Sequence, residues 1–230
     1  KVIDQIAYDI HTEDFSPIFS KIEASGVDFV WQITAANPIP ITVQYVERRV
    51  SVPFVGANAA ALSPEFWEDT GGMGAGVSCH CPGPVFASAP KLDPLNKRFY
   101  EKYVKKYKTR PAKPHFNSFH AYWALMVAVK AAERAGGFKP LDSWVEEMEK
   151  IKITFEKDGK PFIPIDFWAP GEVDPYFDMT FPHAAKYDYE NGEIQGLQGS
   201  AIQWRSDGTA VCIWPPRLAT GKFELPPWIK

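Results

Sequence analysis

The stretch that decides the fold runs from Val2–Ile10, "VIDQIAYDI", into His11–Gln32, "HTEDFSPIFSKIEASGVDFVWQ". Its first part is largely apolar, through Val2, Ile3, Ile6, Ala7 and Ile10, and reads as a β-strand. Phe15, Ile18, Phe19 and Ile22 then fall on one helical face, and Asp14 stands where the helix macrodipole favours a carboxylate. A second apolar strand over Val27–Trp31 leads directly into "ITAANP". Strand, helix, strand in this order predicts a βαβ unit of a parallel sheet. Small ligands bind where such strands end, so Thr34, Ala35, Ala36 and Asn37 are the first candidate site.

The alternation continues. Asn37 can cap a helix that begins at Pro38 and carries Val43, Val46, Arg48 and Arg49. A strand over Val52–Val55 is expected to stop at Gly56, which places Ala57, Asn58 and Ala59 beside the first loop. Ser63–Pro64–Glu65 caps a short helix, and Gly76–Cys81 reads as a further strand. Helices are expected over Leu95–Tyr107, Phe116–Arg134 and Leu141–Lys150. From Ile151 onward short strands and turns take over, with hairpin signals "ENGE" at Glu190–Glu193 and "SDGT" at Ser206–Thr209.

Several of these segments together resemble a known family. "EDFSPIFSKIEASGVDFVW", "VPFVGAN", "FYEKYVKKYKTRP", "AVKAAERAGG" and "IQWRSDGTAVCIWPPRLATGKFELPPW" occur here in the order found in substrate-binding proteins of branched-chain amino acid and amide ABC transporters. These are type I periplasmic binding proteins. The resemblance implies an α/β fold of two lobes joined by a hinge, each a parallel sheet flanked by helices. It aligns Lys1 with the second strand of the second lobe, so the first lobe is expected to be incomplete. Residues 1–80 would be second-lobe ligand-binding structure, 81–152 a helical segment of the first lobe, and 153–230 a hinge return with a hairpin tail.

The same resemblance implies a function without chemistry or cofactor. A small molecule would be captured between the lobes and passed to an ABC transporter permease, in the periplasm or at the cell surface. Family members that bind amino acids carry an acidic residue where Asn58 stands, and an aromatic one where Ala35 or Ala36 stands. A buried ammonium group needs a paired carboxylate. The neutral amide of Asn58 therefore points to an amide or aromatic acid rather than leucine or valine. A sensor domain on the same fold is the alternative.

Composition bounds the remaining choices. Hydrophobic residues make up 45% of the 230, enough for a sizeable core, and the net charge of −3 offers no general excess to neutralise phosphates. Nucleic acid is thus not an expected partner. The cations Lys97, Arg98, Lys102, Lys105, Lys106, Lys108 and Arg110 are interrupted at helical spacing and read as a solvated helix face. No apolar run reaches the ~18 residues that would insert in a membrane.

Cys79–His80–Cys81 raises a thiol- or metal-dependent enzyme as a weaker alternative. In a strand, both thiols would share a face about 6.7 Å apart with His80 on the other. That geometry excludes a shared metal and a relaxed disulfide between them. His115 and His120 lie five residues apart, not four, and Asp166, Glu172, Asp174 and Asp178 lack the spacing of a calcium loop. The latter are expected to be solvated. No phosphate loop, nucleophile elbow or dinucleotide fingerprint is present.

Overall fold

The computed structural model describes residues 1–230 apart from 37, 82, 93, 112–117, 139–140, 158–159, 176, 182–183 and 187–198. The expected hairpin at Glu190–Glu193, the residues His115 and His183, and Asn37 lie outside the described residues.

Residues 1–9 form no strand, which corrects the expectation for Val2–Ile10. A strand needs a ladder for its backbone groups and a surface for one face. Here only Ile6 and Tyr8 pack against the core, while Val2, Ile3 and Ile10 stay exposed. Helix α1 spans Ser16–Ala24. Its start is fixed by Asp14, whose carboxylate accepts the Ser16 N–H at 2.9 Å. That bond holds the Asp14 carboxyl below the usual carboxylate range.

Strand β1, Val30–Thr34, begins three residues later than the apolar run predicted. Helix α2, Pro38–Arg48, follows, then β2, Phe54–Asn58. The two strands are parallel, with Gln32 opposite Gly56 and Thr34 opposite Asn58. Gly56 does not end β2 but lies inside it, at φ +110°. A Cβ at this position would collide with the Gln32 carbonyl oxygen and lie 3.3 Å from the Trp31 ring. Only glycine lets the two backbones approach here.

After β2 come a short 3₁₀ turn over Ala59–Leu62, helix α3 at Phe66–Asp69, and strand β3 at Ser78–Cys81. Helices α4, Pro94–Tyr107, α5, Ser118–Ala135, and α6, Leu141–Glu149, follow within a few residues of their expected bounds. Strands β4, Ile153–Lys157, and β5, Lys160–Ile165, pair antiparallel, as do β6, Val173–Asp174, and β7, Met179–Thr180. The tail supplies β8, Ser200–Trp204, and β9, Ala210–Trp214, in a hairpin whose turn is held by Asp207 accepting from Thr209 at 2.9 Å. The sheet order β3-β8-β9 brings the far end of the chain against β3.

Two apolar cores form among the described residues. The larger joins α1, α2 and the strands through Phe15, Phe19, Tyr45, Phe54, Ile202 and Trp204. Each such side chain contributes about 1.5–3 kcal/mol on burial, and the aromatic ones pack ring against ring, Tyr45 on Phe54 with centroids 4.4 Å apart. The smaller core gathers Leu92, Trp123, Val127, Ala131 and Ile151. Helix α5 thereby buries one apolar stripe at four-residue steps and leaves another open: Leu125 is 63% exposed and Val129 40%.

The acidic stretch is not a solvated loop throughout. Asp174 and Asp166 are buried, and Asp166 lies 3.1 Å from Lys152. Lys186 lies 2.6 Å from Glu172 and holds its carboxyl below the usual range. Charge pairing with Lys152 and Lys186 allows the Asp166 carboxylate into the interior.

Candidate functional site

Parallel pairing sets the C-terminal ends of β1 and β2 side by side, so the two loops singled out by sequence meet at one edge. Ala35 and Ala36 are exposed on the first loop, and Ala57 and Ala59 are half-buried on the second. Their methyl groups leave the backbone open to close approach. Thr34 is buried, its hydroxyl accepting the Tyr8 O–H at 3.1 Å.

Asn58 is fully buried and anchors the second loop. Its Oδ1 accepts the Ala61 N–H at 3.3 Å, capping the 3₁₀ turn. Its Nδ2 donates to Thr42 Oγ1 at 2.9 Å, and that hydroxyl donates in turn to the Pro38 carbonyl at 2.8 Å. The Asn58 amide thus ties the loop after β2 to the first turn of α2. It is turned to these partners instead of to the loop surface, which sequence reasoning did not foresee. An Asn before an Ala-rich turn carried the signal, since Asn is a preferred N-cap.

Gln32 was also missed. It is buried on β1 two residues before Thr34, and its Nε2 has no hydrogen-bond partner among the described residues. A polar residue inside an apolar strand was the available clue.

The Cys79–His80–Cys81 segment alternates as strand geometry requires: both thiols are buried and free, and His80 is exposed. Cys79 Sγ accepts the Asn58 N–H at 3.1 Å. Burial pushes the Cys79 thiol up to about 12 and the Cys81 thiol up to about 11. A nucleophilic cysteine needs the thiolate near neutral pH, so this environment opposes such a role. Among the described residues no three His, Cys, Asp or Glu side chains cluster as a metal site.

This arrangement of small-residue loops at parallel strand ends was compared with known proteins. The family model for the periplasmic binding protein matches residues 1–180. The chain belongs to the periplasmic binding protein family. Solved structures agree on the type I fold. A leucine binding protein from Thermotoga maritima superposes with a TM-score of 0.58 at 20% identity, covering 88% of this chain and 48% of that one. A putative branched-chain amino acid ABC transporter protein from Silicibacter pomeroyi gives 0.64 at 16%, covering 95% and 52%. A solute binding protein from R. palustris, solved in complex with benzoate, gives 0.57 at 12%, covering 100% and 53%. Among curated proteins none matches. This periplasmic binding protein chain spans about half the length of the solved structures it matches. No helix among its described residues is long and apolar enough to cross a membrane.

Proposed function

We propose that this chain is the ligand-capturing part of an extracytoplasmic solute-binding protein. It holds a small amide or aromatic acid at the ends of β1 and β2 for delivery to an ABC transporter permease, and it does not convert that ligand chemically. The observation that carries the reading is the juxtaposition of Thr34–Ala36 with Ala57–Ala59 at one sheet end, where small side chains let a ligand reach the backbone. Asn58 is the residue that holds this end in shape, through Thr42 and Ala61. With no carboxylate among these loop residues, a free ammonium group has no partner there. Residues 1–80 would form the capture region, 81–152 the helical segment and 153–230 the return and tail. The helices from α4 to α6 pack in an apolar core of their own around Trp123 and Val127, which supports treating them as a unit apart from the capture region, although Cys81, Val85 and Phe86 belong to the larger core.

Isothermal titration against amino acids, carboxamides and aromatic carboxylic acids tests the proposal. Saturable heat is expected from one of the latter two classes, and the Ala36→Trp variant, which fills the exposed loop without touching the core, should abolish it. Tight leucine or valine binding, or sustained conversion of the bound compound, would refute the reading.

A further inference from the structure

Helix α4 repeats a cation followed by an aromatic residue three times at four-residue steps: Arg98–Phe99, Lys102–Tyr103 and Lys106–Tyr107. Four residues advance a helix by about 6 Å and return nearly to the same face. The repeat therefore raises two parallel ridges, one cationic and one aromatic. Together with Tyr122 and Met126 of α5 they line an open groove of about 480 Å³.

The cationic ridge keeps its charge open to solvent, with Lys106 Nζ also 4.9 Å from the Tyr107 ring centroid. Arg98, Lys102 and Lys106 are exposed, and none forms an ion pair among the described residues, whereas neighbouring Lys97 lies 3.9 Å from Glu101. The aromatic ridge is internally braced. Phe99 and Tyr122 stack with centroids 4.7 Å apart and planes 16° from parallel, and Tyr103 and Tyr107 also lie 4.7 Å apart. The faces that Phe99 and Tyr122 turn to each other are closed to the base stacking that single-stranded nucleic acid uses. The ridges instead suit another helix, because rows at four-residue spacing interdigitate in the commonest mode of helix packing.

We propose that this groove docks an acidic amphipathic helix of a partner protein, one that carries carboxylates at four-residue steps beside an apolar row. Opposite charges would fix its register and speed encounter, while the apolar row fills the groove. None of these residues belongs to the loops after β1 and β2, so the proposal stands independently of ligand capture.

A designed helical peptide with Leu–Glu pairs at four-residue steps, labelled with fluorescein, serves as the probe in anisotropy titrations of the whole chain. Saturable binding is expected, weakening with added salt and by roughly tenfold or more in the Lys102→Glu/Lys106→Glu variant. Both substituted side chains are exposed, and circular dichroism of the variant serves as the check that it folds. The control Lys130→Glu, an exposed cation of α5 outside the groove lining, should bind as the parent does. No saturable binding would overturn the proposal. So would equal loss in the control, equal affinity for the peptide with Gln replacing Glu, or displacement of the peptide by tighter-binding oligothymidylate.

Discussion

The indole of Trp31 stacks on the imidazole of His80, with ring centroids 5.6 Å apart and planes 24° from parallel. Trp31 stands on β1 and His80 on β3, and the Cβ-less Gly56 of β2 borders the indole. A residue with no side chain is what lets a ring from one strand reach the third.

Gly56→Ala is therefore expected to destabilise the protein by about 2–4 kcal/mol, through an unfavourable positive φ and a Cβ driven into the Gln32 carbonyl. Urea denaturation followed by tryptophan fluorescence measures it. A loss under about 0.5 kcal/mol, the range of ordinary surface substitutions, would show that β1 and β2 can separate freely at this point.

Asn58 and Thr42 should act as one unit. Asn58→Ala leaves the Ala61 N–H without its acceptor in a buried setting and is expected to cost roughly 1–3 kcal/mol. Thr42→Val removes the acceptor of the Asn58 amide. In a double-mutant cycle the two losses should fall short of additivity by about 0.5 kcal/mol or more. Strict additivity would mean that the 2.9 Å bond between them contributes nothing.

The three thiols make stability sensitive to alkali. Burial raises Cys79 to about 12 and both Cys81 and Cys212 to about 11, above the ordinary thiol value they regain on unfolding. Between those limits the folded state binds more protons than the unfolded one. The stabilisation is complete below about pH 8.5 and is lost as pH rises through about 11–12, by up to about 1.4 kcal/mol per pH unit for each thiol. Denaturant midpoints taken from neutral pH upward should fall accordingly, and Cys81→Ala should flatten the slope. The same burial predicts that a disulfide reagent labels the native protein slowly and the unfolded protein at once.

Much was legible in the chain because local chemistry decided it. The apolar stripe Phe15–Ile22 forms α1, Pro38 opens α2, Pro94 opens α4, and the Asp207–Gly208 turn closes the β8–β9 hairpin. Alternation in β3 separated His80 from the two thiols before any coordinates were needed. The placement of the two small-residue loops also followed from strand and helix order, because parallel strands must end on the same side.

Other features depend on distant partners, and only the tertiary structure decided them. Residues 2–10 are apolar enough to read as a strand, yet a strand exists only where a ladder receives it, and among the described residues none does. Gly56 looked like a stop because glycine usually punctuates; its role as a contact point for Gln32 and Trp31 requires β1 alongside. Asn58 looked free to meet a ligand until Thr42, from another element, occupied its amide. Asp166 and Asp174 read as solvated because sequence does not reveal that the chain folds Lys152 and Lys186 around Asp166. Periodicity and capping are short-range properties of the chain. Burial and hydrogen-bond partners are set by whatever the fold brings near, and that is a property of the whole.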